Sequence, residues 1–294
     1  MYKQIINDLI EEVKQNNDKV DLETEFQKGR VPTQAFSEFL TNNEQGIWAE
    51  NIVKKSIENY STNQKVINYG RAETLIAGDP GFREFYSEYQ DELIEIGKCP
   101  DLLVFDNDNF PVDLKNNIDS GAKRIDLISD VENSKAGLEV RSSAFLKNKY
   151  YEAIEAGNAP QGRKFLSITV KVEDILVVTK WINTHNVPHY YVQVFFDSIF
   201  ILPFKKILEI ISDQNQYREN FTIEKNTKNQ LKTTIHINLE CSECLSSNVP
   251  IPVGKAEKKF LGRGRVLNYV KFEINELPDD FNMELLTKVL SNNF

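Results

Sequence analysis

Pro100-Asp101 is followed by two tripeptides with one residue between an acid and a base: Asp113-Leu114-Lys115 and Glu139-Val140-Arg141. On a β-strand, residues i and i+2 face the same side, so each tripeptide presents a carboxylate and a cation to one site. A carboxylate at the start of one strand and a second on its neighbour can jointly hold a divalent cation. Mg²⁺ suits such a site, since it takes one or two carboxylates plus substrate phosphate. The ion polarises a phosphoryl oxygen and activates water, while the adjacent cation stabilises developing charge. The residues therefore point to metal-dependent phosphodiester hydrolysis. The same spacing also describes a solvent-facing ion pair on any strand, so the surrounding elements carry the decision.

Those elements alternate in type. Residues 2–30 read as a helix with Ile5, Ile6, Leu9, Ile10 and Val13 at helical spacing, and Pro32 stops it. Residues 33–60 read as helical in two pieces, with Trp48, Ile52 and Ile57 buried. Lys65–Tyr69 reads as a strand, and Phe82–Ile96 as an amphipathic helix. Asp101–Phe105 and Leu138–Ser142 read as strands, and Pro111–Lys115 and Ile125–Ser129 as short ones. Phe145–Ala156 reads as a helix, Phe165–Val172 as a strand, Glu173–Thr184 as a helix, His189–Phe196 as a strand and Pro203–Ser212 as a helix. Strands alternating with helices indicate an α/β fold, a mixed central sheet flanked by helices. From about residue 220 the texture turns β-rich. FTIEK and KTTIHINLE predict a hairpin, RVLNYVKFEI another strand and MELLTKVL a helix. The expected organisation is a helical region at 1–97 contributing to the core, a catalytic core at 98–215 and a smaller β-rich C-terminal part at 216–294.

The 294 residues include 18 Phe, 11 Tyr and 2 Trp, which excludes disorder as a global description. No apolar run approaches the ~20 residues of a membrane helix. The N-terminal stretch is charged and amphipathic and unlike a signal peptide, and three cysteines give no disulfide framework, so a cytoplasmic setting is expected. The net charge of −9 argues against a uniformly basic nucleic-acid surface. The charge is uneven, however. Residues 141–180 carry seven basic and four acidic groups, and residues 251–272 carry six basic groups against Glu257. An acidic body can therefore still present a positive cleft. Cys241-Ser242-Glu243-Cys244 lacks the second ligand pair of a structural zinc site, although His236 precedes it. No Walker loop, GxGxxG, HExxH or GxSxG is present, so ATP-driven translocation is not encoded in this sequence.

The order helix, strand, strand with Asp101, strand with Glu139, helix, strand resembles the core of the PD-(D/E)xK nucleases. PTQAFSEFLTNNEQGIWAE (32–50), KCPDLLVF (98–105), GLEVRSSAFLKNKY (137–150) and SITVKVEDILVVTKWINTHNVPHYYVQVFFD (167–197) resemble type II restriction endonucleases of the AccI-like group. The resemblance implies a restriction-endonuclease-like core and Mg²⁺-dependent cleavage of double-stranded DNA at a short palindromic site. It implies a homodimer, working in a prokaryotic cell beside a cognate methyltransferase that protects host DNA. Asp101 and Glu139 are the favoured metal ligands. Asp113 and Lys115 form the rival pair, since they retain the true lysine. Arg141 departs from the motif, and a guanidinium that does not lose its proton acts as a fixed electrostatic clamp. Lys171 and Lys115 are candidates for the missing lysine, and Glu50 for a third approach to the metal. Ser142, Ser143, Lys147, Arg163 and Lys164 are candidate phosphate contacts, the serines alternatively capping the helix before Phe145. Gln193 can read adenine or simply occupy a half-buried strand. Arg in the Lys position keeps alive a non-cleaving DNA-binding protein, and the shared core a repair or recombination nuclease.

Overall fold

Trp48, Ala49, Ile52, Val53 and Ile57 recur at helical spacing and are all buried. They press one long helix against a sheet, and that packing organises the rest of the chain. The computed structural model describes residues 2–24, 26–70, 75–158, 164–225 and 232–291. In chain order the first half comprises α1 (Tyr2–Asn16), α2 (Ser37–Tyr60), β1 (Gln64–Asn68), α3 (Phe82–Glu95), β2 (Leu102–Asp106), α4 (Leu114–Asp119), α5 (Ile128–Val131), β3 (Ala136–Ser143) and α6 (Lys147–Glu155). The second half comprises β4 (Ser167–Lys171), α7 (Val172–His185), β5 (His189–Phe195), β6 (Ile199–Pro203), α8 (Phe204–Ser212), β7 (Phe221–Lys225), β8 (Thr233–Asn238), β9 (Glu243–Ser246), β10 (Val253–Phe260), β11 (Val266–Glu273) and α9 (Met283–Ser291).

Among the described residues the central sheet has the order β1-β2-β3-β5-β6-β9, with β3 and β5 parallel and the other neighbours antiparallel. The fold class is thus the expected mixed sheet flanked by helices. A parallel pair needs a crossover, here α6, β4 and α7. Every residue of β5 is buried, as suits a strand covered on both faces. One face packs on α1, α7 and α8 through Leu103, Phe105, Tyr191 and Leu202; the other packs on α2 and α9 through Leu102, Val104, Leu138 and Val192.

Several expectations are corrected. The first helix ends at Asn16, not near residue 30, because Asn and Asp side chains capture the backbone: Asn17 Nδ2 donates to Ile211 O, and Asp21 accepts from the N–H groups of Glu23 and Thr24. Residues 37–60 form one unbroken helix, its buried stripe running past Gly46. The predicted strands at 111–115 and 125–129 are helical turns, with Leu114, Leu127 and Val131 pointing inward. Strand β4 lies outside the central sheet. It heads a three-stranded sheet, β4-β8-β7, so the strand completing the nuclease-like core is β5. Within the expected C-terminal part, β9 closes the central sheet, β7 and β8 join β4, and β10–β11 form a ribbon against α2.

Gly97 has φ 88°, and a Cβ there would stand 2.3 Å from Trp181 N and 2.4 Å from Val177 O. The glycine lets the chain press onto α7, where Lys98 N donates to Val177 O at 2.9 Å. Gly97→Ala combines left-handed strain with overpacking and is expected to cost about 3 kcal/mol or more, read as a lowered urea midpoint.

His189 is fully buried with neither ring nitrogen hydrogen-bonded, and burial pulls its pKa down from the usual 6.5 to about 4. Between those values the unfolded chain takes up a proton that the folded chain refuses. Stability therefore rises with pH through this window and falls on acidification, by up to about 3 kcal/mol from this residue. Urea midpoints measured from pH 4 to 7 should fall more on acidification in the wild type than in His189→Leu, the difference between the two curves isolating this residue from the carboxyl groups that titrate in both.

Candidate active site

The antiparallel register pairs Leu102 with Leu138, which carries Asp101 opposite Glu139. Three hydrogen bonds hold Asp101 in place. Its carbonyl accepts from Tyr69 N at 2.8 Å and Gly70 N at 3.2 Å, and its Oδ2 accepts from Val140 N at 2.7 Å. The carboxylate is thereby pinned to β3 beside Glu139. Glu139 Oε1 accepts from Lys98 Nζ at 2.6 Å and stands 3.2 Å from Arg141 Nη2. Its Oε2 is buried with no hydrogen-bond partner. The alternation argument thus holds for Arg141, which shares a face with Glu139. Asp174, from the first turn of α7, closes the cluster: its Oδ2 accepts from Arg141 Nη2 at 2.6 Å and Lys98 Nζ at 3.3 Å.

Two carboxylates and two cations cancel within this cluster. Burial would raise Asp174 and Glu139, but Lys98 and Arg141 outweigh it and hold both acids ionised, with Lys171 adding to the effect on Asp174. Burial likewise would lower Lys98, yet Asp174 and Glu139 hold it protonated. Asp101 and Glu50 are left in surplus. Burial and then the Glu139 and Glu50 charges push Asp101 well above the ordinary carboxylate range. Burial and then Glu139 push Glu50 up to about 7, opposed by a hydrogen bond with Asn68. The site thus holds two carboxyl groups beyond those its own cations keep ionised, a shortage of positive charge, beside an unpartnered carboxylate oxygen. A divalent cation fits that deficit. Among the described residues no three His, Cys, Asp or Glu side chains converge closely enough to ligate an ion as they stand, and Lys98 and Arg141 both contact Glu139 Oε1.

Beyond Arg141 the site opens into a groove of about 800 Å³ between the central sheet and β4-β8-β7, lined among others by Ser142, Ser143, Lys164, Gln193 and His236. Gln193 is almost fully buried, opposite Arg141 in the β3–β5 register, and its Nε2 reaches Val194 O at 3.4 Å. His236 stands between Ser167 Oγ, 3.3 Å away, and Glu224 Oε2, 3.1 Å away. With its amide turned to satisfy both ends, Gln45 of α2 accepts from Ser142 Oγ and Ser143 N, each at 3.1 Å. The serines do not cap α6. Asp197 does so, accepting from Lys147 N and Asn148 N, both at 2.9 Å.

Other expected residues fall elsewhere. Asp113 and Lys115 sit at the start of α4, where exposed Lys115 pairs with Asp119, because the segment is a surface helix and not a strand. Lys147 lies over Tyr151 and Phe200 and lines a separate cavity beside Cys244. Lys171 ends β4, exposed, with its charge directed at Asp174. Arg163 lies outside the described residues. Sequence reasoning missed Lys98 and Asp174. Lys98, three positions before Asp101, was visible within KCPD but lies on a loop, where periodicity assigns no face.

The model of the AccI restriction endonuclease family matches residues 1–159 and 155–291. The chain belongs to the AccI restriction endonuclease family. It is therefore a type II restriction endonuclease, a hydrolase that acts on double-stranded DNA. Separate comparisons find no match among curated proteins and none among solved structures. The restriction endonuclease assignment sets aside the non-cleaving binding protein and the repair nuclease. Among the described residues no helix is long and apolar enough to cross a membrane.

Proposed function

We propose that this endonuclease is Mg²⁺-dependent and cuts a short palindromic site as a homodimer, one strand per subunit, in a prokaryotic cytoplasm where a cognate methyltransferase protects host DNA. Twofold symmetry in the protein matches twofold symmetry in the site. The observation that carries the metal reading is the pairing of Asp101 with Glu139 on adjacent strands, with two surplus carboxylates and an unpartnered Glu139 oxygen. Asp101 and Glu139 would hold Mg²⁺, with Glu50 approaching from α2. When bound, Mg²⁺ polarises the phosphoryl oxygen and makes its water a better nucleophile.

The chain's own groups supply the rest. Lys98 and Arg141 flank Glu139 Oε1 as fixed positive charges, Arg141 lining the groove, and would stabilise the negative charge that the phosphate gains in the transition state. Asp174 holds both cations in place from α7. The groove beyond Arg141 would face the substrate, with Lys164 at its rim as a phosphate contact and Gln193 in its floor as a base reader.

The test is digestion of a sequenced plasmid with purified protein in Mg²⁺ and in EDTA. Discrete bands in Mg²⁺ alone are expected, with ends that map to one palindrome. Cutting in EDTA, or a smear without fixed ends, overturns the reading.

A further inference from the structure

Strands β10 and β11 pair only with each other among the described residues, from Val253–Glu273 to Phe260–Val266. The eight residues of β10 are exposed but for one half-buried position. The ribbon is moored along β11. Leu267 and Tyr269 pack with Leu40 and Ile76, Val270 N donates to Thr41 Oγ1 at 3.2 Å, and Phe272 meets Phe196 with ring centroids 5.4 Å apart. Thr41 lies one turn before Gln45, the residue that holds the end of β3 at the mouth of the groove. The same helix therefore ties the ribbon to the catalytic strand.

The charge of this arm is opposite to that of the protein. Residues 253–273 hold six basic groups and two acids within a chain of net charge −9. Some of that charge is spent internally: Lys259 pairs with Asp79 at 2.8 Å, Lys255 with Glu273 at 2.6 Å, and Arg265 donates to Ala35 O. Lys258 and Lys271 have no ion-pair partner among the described residues, and they stand on opposite faces of the ribbon. The apolar pair Phe260–Val266 closes the tip, and Phe260 is 75% exposed. A basic, two-faced arm on an acidic protein is complementary to a polyanion, and a two-stranded ribbon is a shape that the major groove of B-DNA admits.

We infer that the β10–β11 ribbon is a second DNA-contact surface, gripping the sugar–phosphate backbone of duplex that flanks the cut site through Lys258 and Lys271. The inference rests on the chain acting on duplex DNA and adds the element that holds the flank. Phosphate contacts fix register without carrying sequence information, so the effect extends to every sequence alike.

The test uses the full chain and the double variant Lys258→Ala/Lys271→Ala, with equilibrium binding in EDTA from 50 to 300 mM NaCl. The probes are plasmid fragments that the wild type cuts and unrelated duplexes of equal length. The expected result is weaker binding to both classes and a slope of log affinity against log salt shallower by about 0.9 per lost contact, about 2 in all. The single-turnover cutting rate at saturating DNA should stay at the wild-type value, and trimming the flanks should erase the difference. Wild-type affinity and slope in the variant overturn the inference, and so does an unchanged slope with loss of the dimer in sedimentation, which would give the ribbon to a second copy of the chain. A wild type that binds no duplex fails one level earlier, at the reading beneath both. Both side chains are exposed, and an unshifted thermal midpoint certifies the fold.

Discussion

Glu139→Gln is expected to abolish cleavage while leaving the protein folded and able to bind DNA, and Asp101→Asn to do the same. The loss should be on the order of 10³-fold or more in single-turnover rate, since Lewis-acid stabilisation by a held metal is worth several kcal/mol. The two substitutions act on one unit, so the double variant should be little worse than either single. Binding should move the other way. Burial and then neighbouring carboxylates hold Asp101 and Glu50 toward the neutral form, whereas Lys98 and Arg141 keep Glu139 ionised. Glu139→Gln removes a negative charge and leaves Lys98 and Arg141 in excess, so its gel-shift affinity without metal should exceed that of the wild type, while Asp101→Asn should leave it unchanged. Asp113→Ala supplies the contrast: Asp113 stands at the head of a surface helix, and its loss should leave the rate within about twofold, as for most surface changes. Loss of cutting in Asp113→Ala with Glu139→Gln still active would move the catalytic centre away from β3.

Why the sequence disclosed Glu139 and hid Lys98 is a matter of period. Glu139 and Arg141 lie on a strand, where alternation assigns faces, and the structure places Arg141 Nη2 3.2 Å from Glu139 Oε1. Asp101 opens the next strand, so strand order alone places it beside Glu139. The same rule misfired at 111–115. Leu114 alternates with charged neighbours as a strand would, yet Asn117 N bonds back to Asp113 O and the segment turns helical. The neighbour of β3 also escaped prediction. Phe165–Val172 carries the apolar pattern of a core strand, but its partners are β8 and β7, and only long-range pairing decides which sheet receives it. Strand β9, from the expected C-terminal part, is likewise too short to declare its place at the edge of the central sheet. Asp174 is the first-turn acid of an amphipathic helix and looks like any residue favoured there by the helix dipole.

Lys98→Met should cost about 10²–10³-fold in single-turnover rate, the usual range for removing one preorganised donor to developing negative charge. Arg141→Lys should cost far less, because it retains a cation. The motif's lysine is replaced on β3 by Arg141, but a lysine still reaches Glu139 from the loop ahead of Asp101, with Nζ 2.6 Å from Oε1. Asp174 and Glu139 keep that lysine protonated against burial, so it serves as a cation and not as a base. A single substitution here also unbalances a buried cluster. Breaking such a pair typically costs about 3–5 kcal/mol by leaving a charge without its partner, so lost activity alone would be ambiguous. The double variant Lys98→Met/Asp174→Asn removes one charge of each sign and leaves Arg141 paired with Glu139. Its urea midpoint should recover most of the loss seen in Lys98→Met, while its cutting rate stays low. Recovery of rate together with stability would show that Lys98 only balances charge. Recovery of stability alone places Lys98 at the reacting phosphate, with Arg141 as its companion.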